Sequence, residues 1–295
     1  MTIPKAEPQE QDKAPDSWED CIRLLLGLSG ENVIYRGQPK YDWPLWSSIE
    51  RKLFRYAKEQ DRRKSELIGG MSADPATELW ARNVEDALLQ RFREQAVRFG
   101  IPNLPEAWDI LGWWEVMQHH GAPTRLMDWT SSPFVAAWFA LYDHKDGDGD
   151  MGLWAYDRSI ADKFFIEAAE SLRSAGDYLE IDDRQYQNRL LKLALETQDR
   201  VLIPVRPRQF PRAVAQHSVL TVSSAIGAGH PENLPARGKA TTHIRLKESW
   251  KSQIKSTCRA MGFSEVSMFR DLDSLGASIA QLFDDGLKLF NPYAP

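Results

Sequence analysis

The run Gln118–Ala140, QHHGAPTRLMDWTSSPFVAAWFA, limits the fold of this 295-residue chain more than any other stretch. It stops one helix and starts another within a dozen residues. Gly121 and Pro123 end a helix expected over Glu106–His119. Thr130, Ser131 or Ser132 then caps a second helix, with Pro133 at its first position, where a missing N–H costs nothing. Ala136, Ala137 and Ala140 are small, so this second helix can lie close against a neighbour. Between the two helices stand adjacent histidines, an arginine, an aspartate and a tryptophan. A core segment does not need that density of polar and ring-bearing side chains, so the run reads as a site.

The rest of the chain organises around it. Residues 1–16, rich in Pro, Glu, Gln and Lys, are expected to form a disordered tail, and residues 17–290 a single domain. Asp16-Ser17 starts a helix carrying Trp18, Cys21, Ile22, Leu25 and Leu26 at helical spacing. Asn32–Arg36 has strand character. Trp43–Ser48 is a loop leading into a helix near Ile49–Ala57, followed by a charged loop over Gln60–Ser72. Pro75–Arg98 is a long helix with Leu79, Trp80, Val84, Leu88, Leu89, Phe92 and Val97 near helical period. Strands are expected at Gly152–Tyr156, Val201–Val205, Val219–Ser223 and His243–Leu246. Ile160–Ala175 and Asp183–Leu195 read as helix or loop, Ile254–Met261 as an amphipathic helix, and Leu272–Phe283 as a closing helix. Strands and helices mix without regular βαβ alternation. The class is therefore α+β: a small mixed or antiparallel sheet with a substantial helical insertion or cap.

Bulk properties exclude some functions. A formal net charge of −5 argues against a protein that coats nucleic acid. The two cysteines, Cys21 and Cys258, are far apart and lack metal-ligand spacing, which points to a reducing compartment. No apolar run is long enough to span a bilayer, and the first residues lack the apolar core of a signal peptide. The expectation is a soluble, cytoplasmic protein with no membrane partner.

Several residues can carry chemistry. His119 and His120 are neighbours, and neighbours on a helix point different ways, so they do not suit one metal. One of them facing a pocket as a donor or general base is the simpler account. No further ligand set stands out, so no metal is expected. Arg125 and Asp128, three apart, can pair with each other. Arg36 closes a strand and precedes Gly37. Its planar fork suits a phosphate or carboxylate, and the glycine allows a ligand near the backbone; a surface turn is the plainer alternative. Gln216 stands just before a strand, where its amide can orient a sugar or simply finish a sheet edge. Asp143–Asp150, DHKDGDGD, lacks EF-hand spacing and reads as a solvated turn. P-loop, GxGxxG, G-x-S-x-G and HExxH patterns are absent.

Tyr35-Arg36-Gly37, the block QHHGAPTRLMDWT and the small residues Ala136–Ala140 together resemble the FRG domain, whose motifs are [FY]-R-G and QH-x-G-x-PTRLLDWT. Ala215-Gln216 with Val219-Leu220-Thr221 resembles that family's third block. Phe269 with Asp271-Leu272-Asp273 resembles its closing segment. The likeness extends from about residue 30 to 280. Met127 stands for a leucine, and Ser218 and Leu220 stand for the glycine and phenylalanine of the third block.

A strand ending in Tyr35-Arg36-Gly37, a Thr130-Ser131-Ser132 block entering a helix with Ala and Phe, and the polar Gln216 before a late strand are together similar to the three-part pattern of the arginine–serine–glutamate ADP-ribosyltransferases. This likeness implies an ADP-ribosyltransferase-like fold with NAD in a central cleft. Tyr35, Arg36, Gly37, Thr124, Arg125, Thr130, Ser131 and Ser132 would then hold the dinucleotide, and Arg36, His119, Asp128 and Gln216 would serve the chemistry. Gln216 stands where a glutamate is expected, so a carboxylate must come from elsewhere, with Asp128 nearest. The activity implied is ADP-ribosyl transfer or NAD glycohydrolysis. The alternatives are a non-catalytic module binding a nucleotide, RNA or protein, and a metal-independent nuclease or phosphodiesterase using His119 or His120 with Asp128.

Overall fold

A computed structural model describes residues 12–60, 75–100, 103–159, 184–197, 202–205, 211–226 and 241–269. The start of the expected tail, most of the Gln60–Ser72 loop, Ile160–Ala175, the Asp271-Leu272-Asp273 segment and the Leu272–Phe283 helix lie outside these residues. Asp12 and Lys13, within the stretch read as tail, form a two-residue strand.

The described residues form an α+β fold on one mixed sheet. Its strands are β1 (Asp12–Lys13), β2 (Val33–Gln38), β3 (Leu126–Thr130), β4 (Met151–Asp157), β5 (Leu202–Val205), β6 (Ser218–Ser223) and β7 (Thr241–Leu246). Their order is β1-β7-β4-β2-β3-β6-β5. Neighbours run antiparallel except β1 and β7 at one edge. The helices are α1 (Trp18–Leu28), α2 (Ser48–Gln60), α3 (Pro75–Ala96), α4 (Ile110–His119), α5 (Pro133–Tyr142), α6 (Arg184–Thr197), α7 (Pro211–Ala215), α8 (Lys251–Ala260) and α9 (Glu265–Phe269).

Strand alternation decides what each face buries. Tyr35, Leu153, Ala155, Ile244 and Leu246 share one face and pack with Trp18, Cys21 and Leu25 of α1, the small face of α5, and Ile254 and Cys258 of α8. Farther along the sheet, Leu126, Leu220, Val222, Ile203 and Val205 pack under α3, α4 and α6. The opposite face carries Ile34, Met127, Trp129, Trp154 and Tyr156, covered in part by Leu45. Each fully buried large apolar side chain contributes about 1.5–3 kcal/mol.

Local chemistry explains the helix ends. The Ser17 hydroxyl accepts from the Asp20 N–H and starts α1. Ser47 and Glu50 form a reciprocal capping box at the head of α2, with the Glu50 carboxylate accepting from the Ser47 N–H at 2.7 Å. The helix expected from Glu106 begins instead at Ile110, because the Asp109 carboxylate accepts from the Gly112 N–H at 2.8 Å and caps it. A Cβ on Gly112 would stand 2.1 Å from that carboxylate, so a larger residue there would displace the cap. Ser132, among the three residues proposed for the role, caps α5 by accepting from the Val135 N–H.

Two features around β2 position the site. Gly37 lies against α5: a Cβ there would meet the Ala136 carbonyl oxygen at 1.9 Å and the Ala140 nitrogen at 2.6 Å. The glycine next to Arg36 therefore admits a helix backbone. In addition, β2 pairs with β4 over six registers, from Val33↔Asp157 to Gln38↔Gly152, but meets β3 only at Tyr35↔Thr130. Past that point the two strands splay.

Candidate functional site

A cleft of about 320 Å³ opens where β2 and β3 part. On one side of the sheet its floor is Tyr35, Asp128, Thr130, Ser218 and Leu220, which share a face by register. The walls come from Ala136 and Phe139 of α5, from Gln118 and His119 at the end of α4, and from Ala213 and Gln216 around α7. Arg36, Trp43 and Arg51 complete it.

The four residues expected to serve chemistry, Arg36, His119, Asp128 and Gln216, all line this one cleft. They come from segments up to 180 positions apart. Arg36 sits in the notch between the splayed strands, where its Nη1 donates to the Asp128 carbonyl oxygen at 2.6 Å. Its Nε is buried and has no partner among the described residues. Burial pulls this guanidinium below its ordinary value, and the nearby Asp128 charge partly offsets that. His119, the last residue of α4, is exposed and faces the cleft; His120, the cap residue, does not line it.

Gln216 is placed by a tight corner. The Thr130 hydroxyl donates to the Gln216 carbonyl oxygen at 2.7 Å, and the Ser131 N–H donates to the His217 carbonyl oxygen at 3.1 Å. His217 holds a left-handed φ of 48°, uncommon outside glycine, and so turns the chain from α7 into β6. The Gln216 amide donates to the Met268 carbonyl oxygen at 3.2 Å, which ties α9 to the cleft wall.

The residues expected to hold a dinucleotide divide. Tyr35, Arg36, Gly37 and Thr130 line the cleft. Thr124, Arg125, Ser131 and Ser132 do not. Thr124 is fully buried; its hydroxyl donates to Gln118 Oε1 at 2.6 Å and its N–H to the Ser48 hydroxyl at 2.9 Å, joining the Pro-Thr-Arg turn to α2. Ser131 is exposed.

Arg125 is only 3% exposed and chelates Glu85 of α3 through Nε and Nη2. Its Nη1 donates to the carbonyl oxygens of Ser223 and Ser224, and its guanidinium lies 5.1 Å over the Trp114 ring. Burial alone would lower the Arg125 value; the Glu85 charge overrides this and leaves it raised. The pairing of Arg125 with Asp128 is thereby corrected. Spacing of three makes neighbours on a helix, but Leu126–Thr130 is a strand, and Asp128 is exposed on it.

Sequence reasoning passed over Arg51, Glu115, Trp43 and Phe139, which also line the cleft. Arg51 Nη1 donates to the Trp46 carbonyl oxygen at 2.6 Å. Burial and then the neighbouring Arg36 charge bring Arg51 down to about 10. Glu115 is held by Arg184 at 2.6 Å. The one sequence signal for Arg51 was the S-x-x-E box at Ser47–Glu50, which fixes the start of α2 and hence the faces that follow.

In the DHKDGDGD turn the carboxylates meet cations: Asp146 with Lys251 at 2.6 Å, Asp148 with Lys40 at 2.7 Å and Asp150 with Arg245 at 3.3 Å. Among the described residues no group of three or more His, Cys, Asp or Glu is placed to share a metal ion. No helix among them is long and apolar enough to cross a membrane.

No curated protein and no solved structure matches the chain. A family model does match, over residues 31–149, a span that holds both the Tyr-Arg-Gly strand and the QHHGAPTRLMDWT block but stops short of Gln216. Over those residues the chain carries an FRG domain.

Proposed function

We propose that the cleft binds NAD or a related nucleotide and breaks its glycosidic bond, passing the ADP-ribosyl group to an acceptor or to water. One observation carries this reading: Arg36, Thr130 and Gln216 line a single cleft from the consecutive sheet strands β2 and β3 and the entry to β6. In an arginine–serine–glutamate comparison Thr130 supplies the hydroxyl, since Ser131 and Ser132 stand outside the cleft, and Gln216 takes the glutamate's place.

The chemistry assigns roles. Arg36 takes a phosphate through the N–H groups it does not spend on Asp128. When the bond from C1′ to nicotinamide breaks, its electron pair leaves with the ring and the sugar becomes positively charged. A carboxylate beside that carbon stabilises it in a partly desolvated cleft. Asp128 is exposed on the cleft floor and supplies that charge in place of the missing glutamate. The attacking hydroxyl forms the new bond at C1′ and gives its proton to His119. Gln216 orients the ribose.

Binding without turnover is the second reading. It is favoured by the neutral Gln216, whose amide is already engaged by Met268. Chromatography for free nicotinamide, with mass measurement of candidate acceptors, separates the two. Release from NAD that disappears in Asp128→Asn supports the enzyme. Thermal stabilisation by NAD with no nicotinamide formed supports the binding module.

A further inference from the structure

We infer that Arg36 and Arg51 form a two-cation seat for a diphosphate, so that the cleft selects ligands with two linked phosphoryl groups over those with one. This rests on the reading of the cleft as a ligand site and deepens it by naming the ligand class and a second binding residue.

Both guanidiniums line the same 320 Å³ cleft. Each is anchored by one N–H to a backbone carbonyl, Arg36 to Asp128 on β3 and Arg51 to Trp46 in the turn before α2. A carbonyl fixes direction without neutralising charge, so the donors each fork does not spend on it remain for a ligand, beside an Asp128 carboxylate that favours both charges. The buried, unpartnered Arg36 Nε is one such donor. An orphaned buried donor destabilises the empty protein and finds its partner when an anion enters.

The two charges also repel. After burial, Arg36 and then Arg55 lower Arg51, with Glu50 and Asp128 opposing them. Fold stability has no use for two like charges in a half-dry cleft, and such arrangements gather at binding sites. A single phosphoryl group pairs well with one planar fork. A diphosphate offers acceptors on two centres and more negative charge, which suits two forks held on separate backbone anchors. Trp43 and Phe139 also line the cleft and put rings within reach of the group attached to the phosphates.

The test is calorimetric titration of the full chain with ADP, AMP, inorganic pyrophosphate and orthophosphate. ADP and pyrophosphate are expected to bind about tenfold or more tightly than AMP and orthophosphate. In Arg51→Gln the ADP-over-AMP preference falls to near unity, while Arg36→Gln weakens both nucleotides. Equal affinity for ADP and AMP in the unmodified protein, or a preference that survives Arg51→Gln, overturns the proposal. Should Arg51→Gln unfold, Arg51→Lys serves: retained charge without the fork is expected to weaken ADP more than AMP, and an unchanged ratio counts against the seat. A diphosphate preference without nicotinamide release removes the enzyme reading and leaves the seat. Release with an ADP preference indifferent to Arg51 does the reverse.

Discussion

Arg36 and Arg125 each belong to a conspicuous motif, Tyr-Arg-Gly and Pro-Thr-Arg-Leu, yet the fold uses them in opposite ways. Arg125 is sealed in, with a chelating carboxylate, two carbonyls and a tryptophan face around it. Arg36 has one carbonyl and a buried donor without a partner. The surroundings account for the difference. Arg125 precedes β3 and is covered by α3 and α4, so its charge survives chiefly through Glu85. Arg36 lies where β2 and β3 splay, so its charge opens on a cleft. A motif arginine is therefore a binding residue only where the backbone leaves its fork incomplete.

That contrast can be broken in several places. The largest effect is expected at the buried pair. Arg125→Ala or Glu85→Ala leaves an uncompensated charge inside and lowers stability by about 3–5 kcal/mol in urea unfolding; the double replacement by apolar residues recovers part of it. A loss below about 1 kcal/mol would show that Arg125 is as free as Arg36.

Next is Gly37→Ala. Its new methyl would collide with the backbone of α5, costing about 1–3 kcal/mol or more and shifting the walls beside Arg36. Stability and nucleotide affinity should fall together. If affinity alone falls, Gly37 serves the ligand and not the helix.

Salt sharpens the contrast further. Raising ionic strength should weaken nucleotide binding at Arg36, which is partly open to solvent, and leave the stability difference between the unmodified chain and Arg125→Ala nearly unchanged. Equal sensitivity would erase the distinction.

The prediction furthest from the two arginines is a control at low pH. His243 is stacked between Tyr41 and Trp154, at 4.1 and 3.9 Å between ring centroids. Burial and then Arg245 lower it to about 3. The unfolded chain takes up that proton near pH 6.5 and the folded chain does not, so this contribution is complete above about pH 6.5 and is lost as pH falls toward 3. The slope is at most about 1.4 kcal/mol per pH unit. His243→Phe keeps a ring in the stack and should flatten acid sensitivity between pH 6 and 4. An unchanged slope would assign acid unfolding to other groups.

Much of this was legible in the sequence, and the failures share a cause. α1, α3, α8 and the strands around β2, β4, β6 and β7 follow from periodicity and capping residues such as Ser17. The family motifs were readable, and Arg36, His119, Asp128 and Gln216 do share a cleft. Partners distant in the chain were not readable: nothing near Arg125 points to Glu85, 40 positions earlier. The packing of Gly37 on a helix a hundred residues on has no local signal either. Arg125 and Asp128 are close in sequence, but the strand Leu126–Thr130 and the distant Glu85 keep them apart. Arg51 belongs to an ordinary amphipathic helix, and nothing in its own segment announces that it lines the cleft.

The central claim is that Arg36 serves the ligand and Arg125 the fold. Measuring NAD affinity and unfolding free energy on the same preparations of Arg36→Gln and Arg125→Gln tests it most directly. The account predicts that Arg36→Gln loses about tenfold to a hundredfold in affinity while its stability changes by no more than about 1 kcal/mol, and that Arg125→Gln is destabilised severalfold more. An Arg36→Gln protein that binds NAD as tightly as the unmodified chain, or that is destabilised as much as Arg125→Gln, would contradict it.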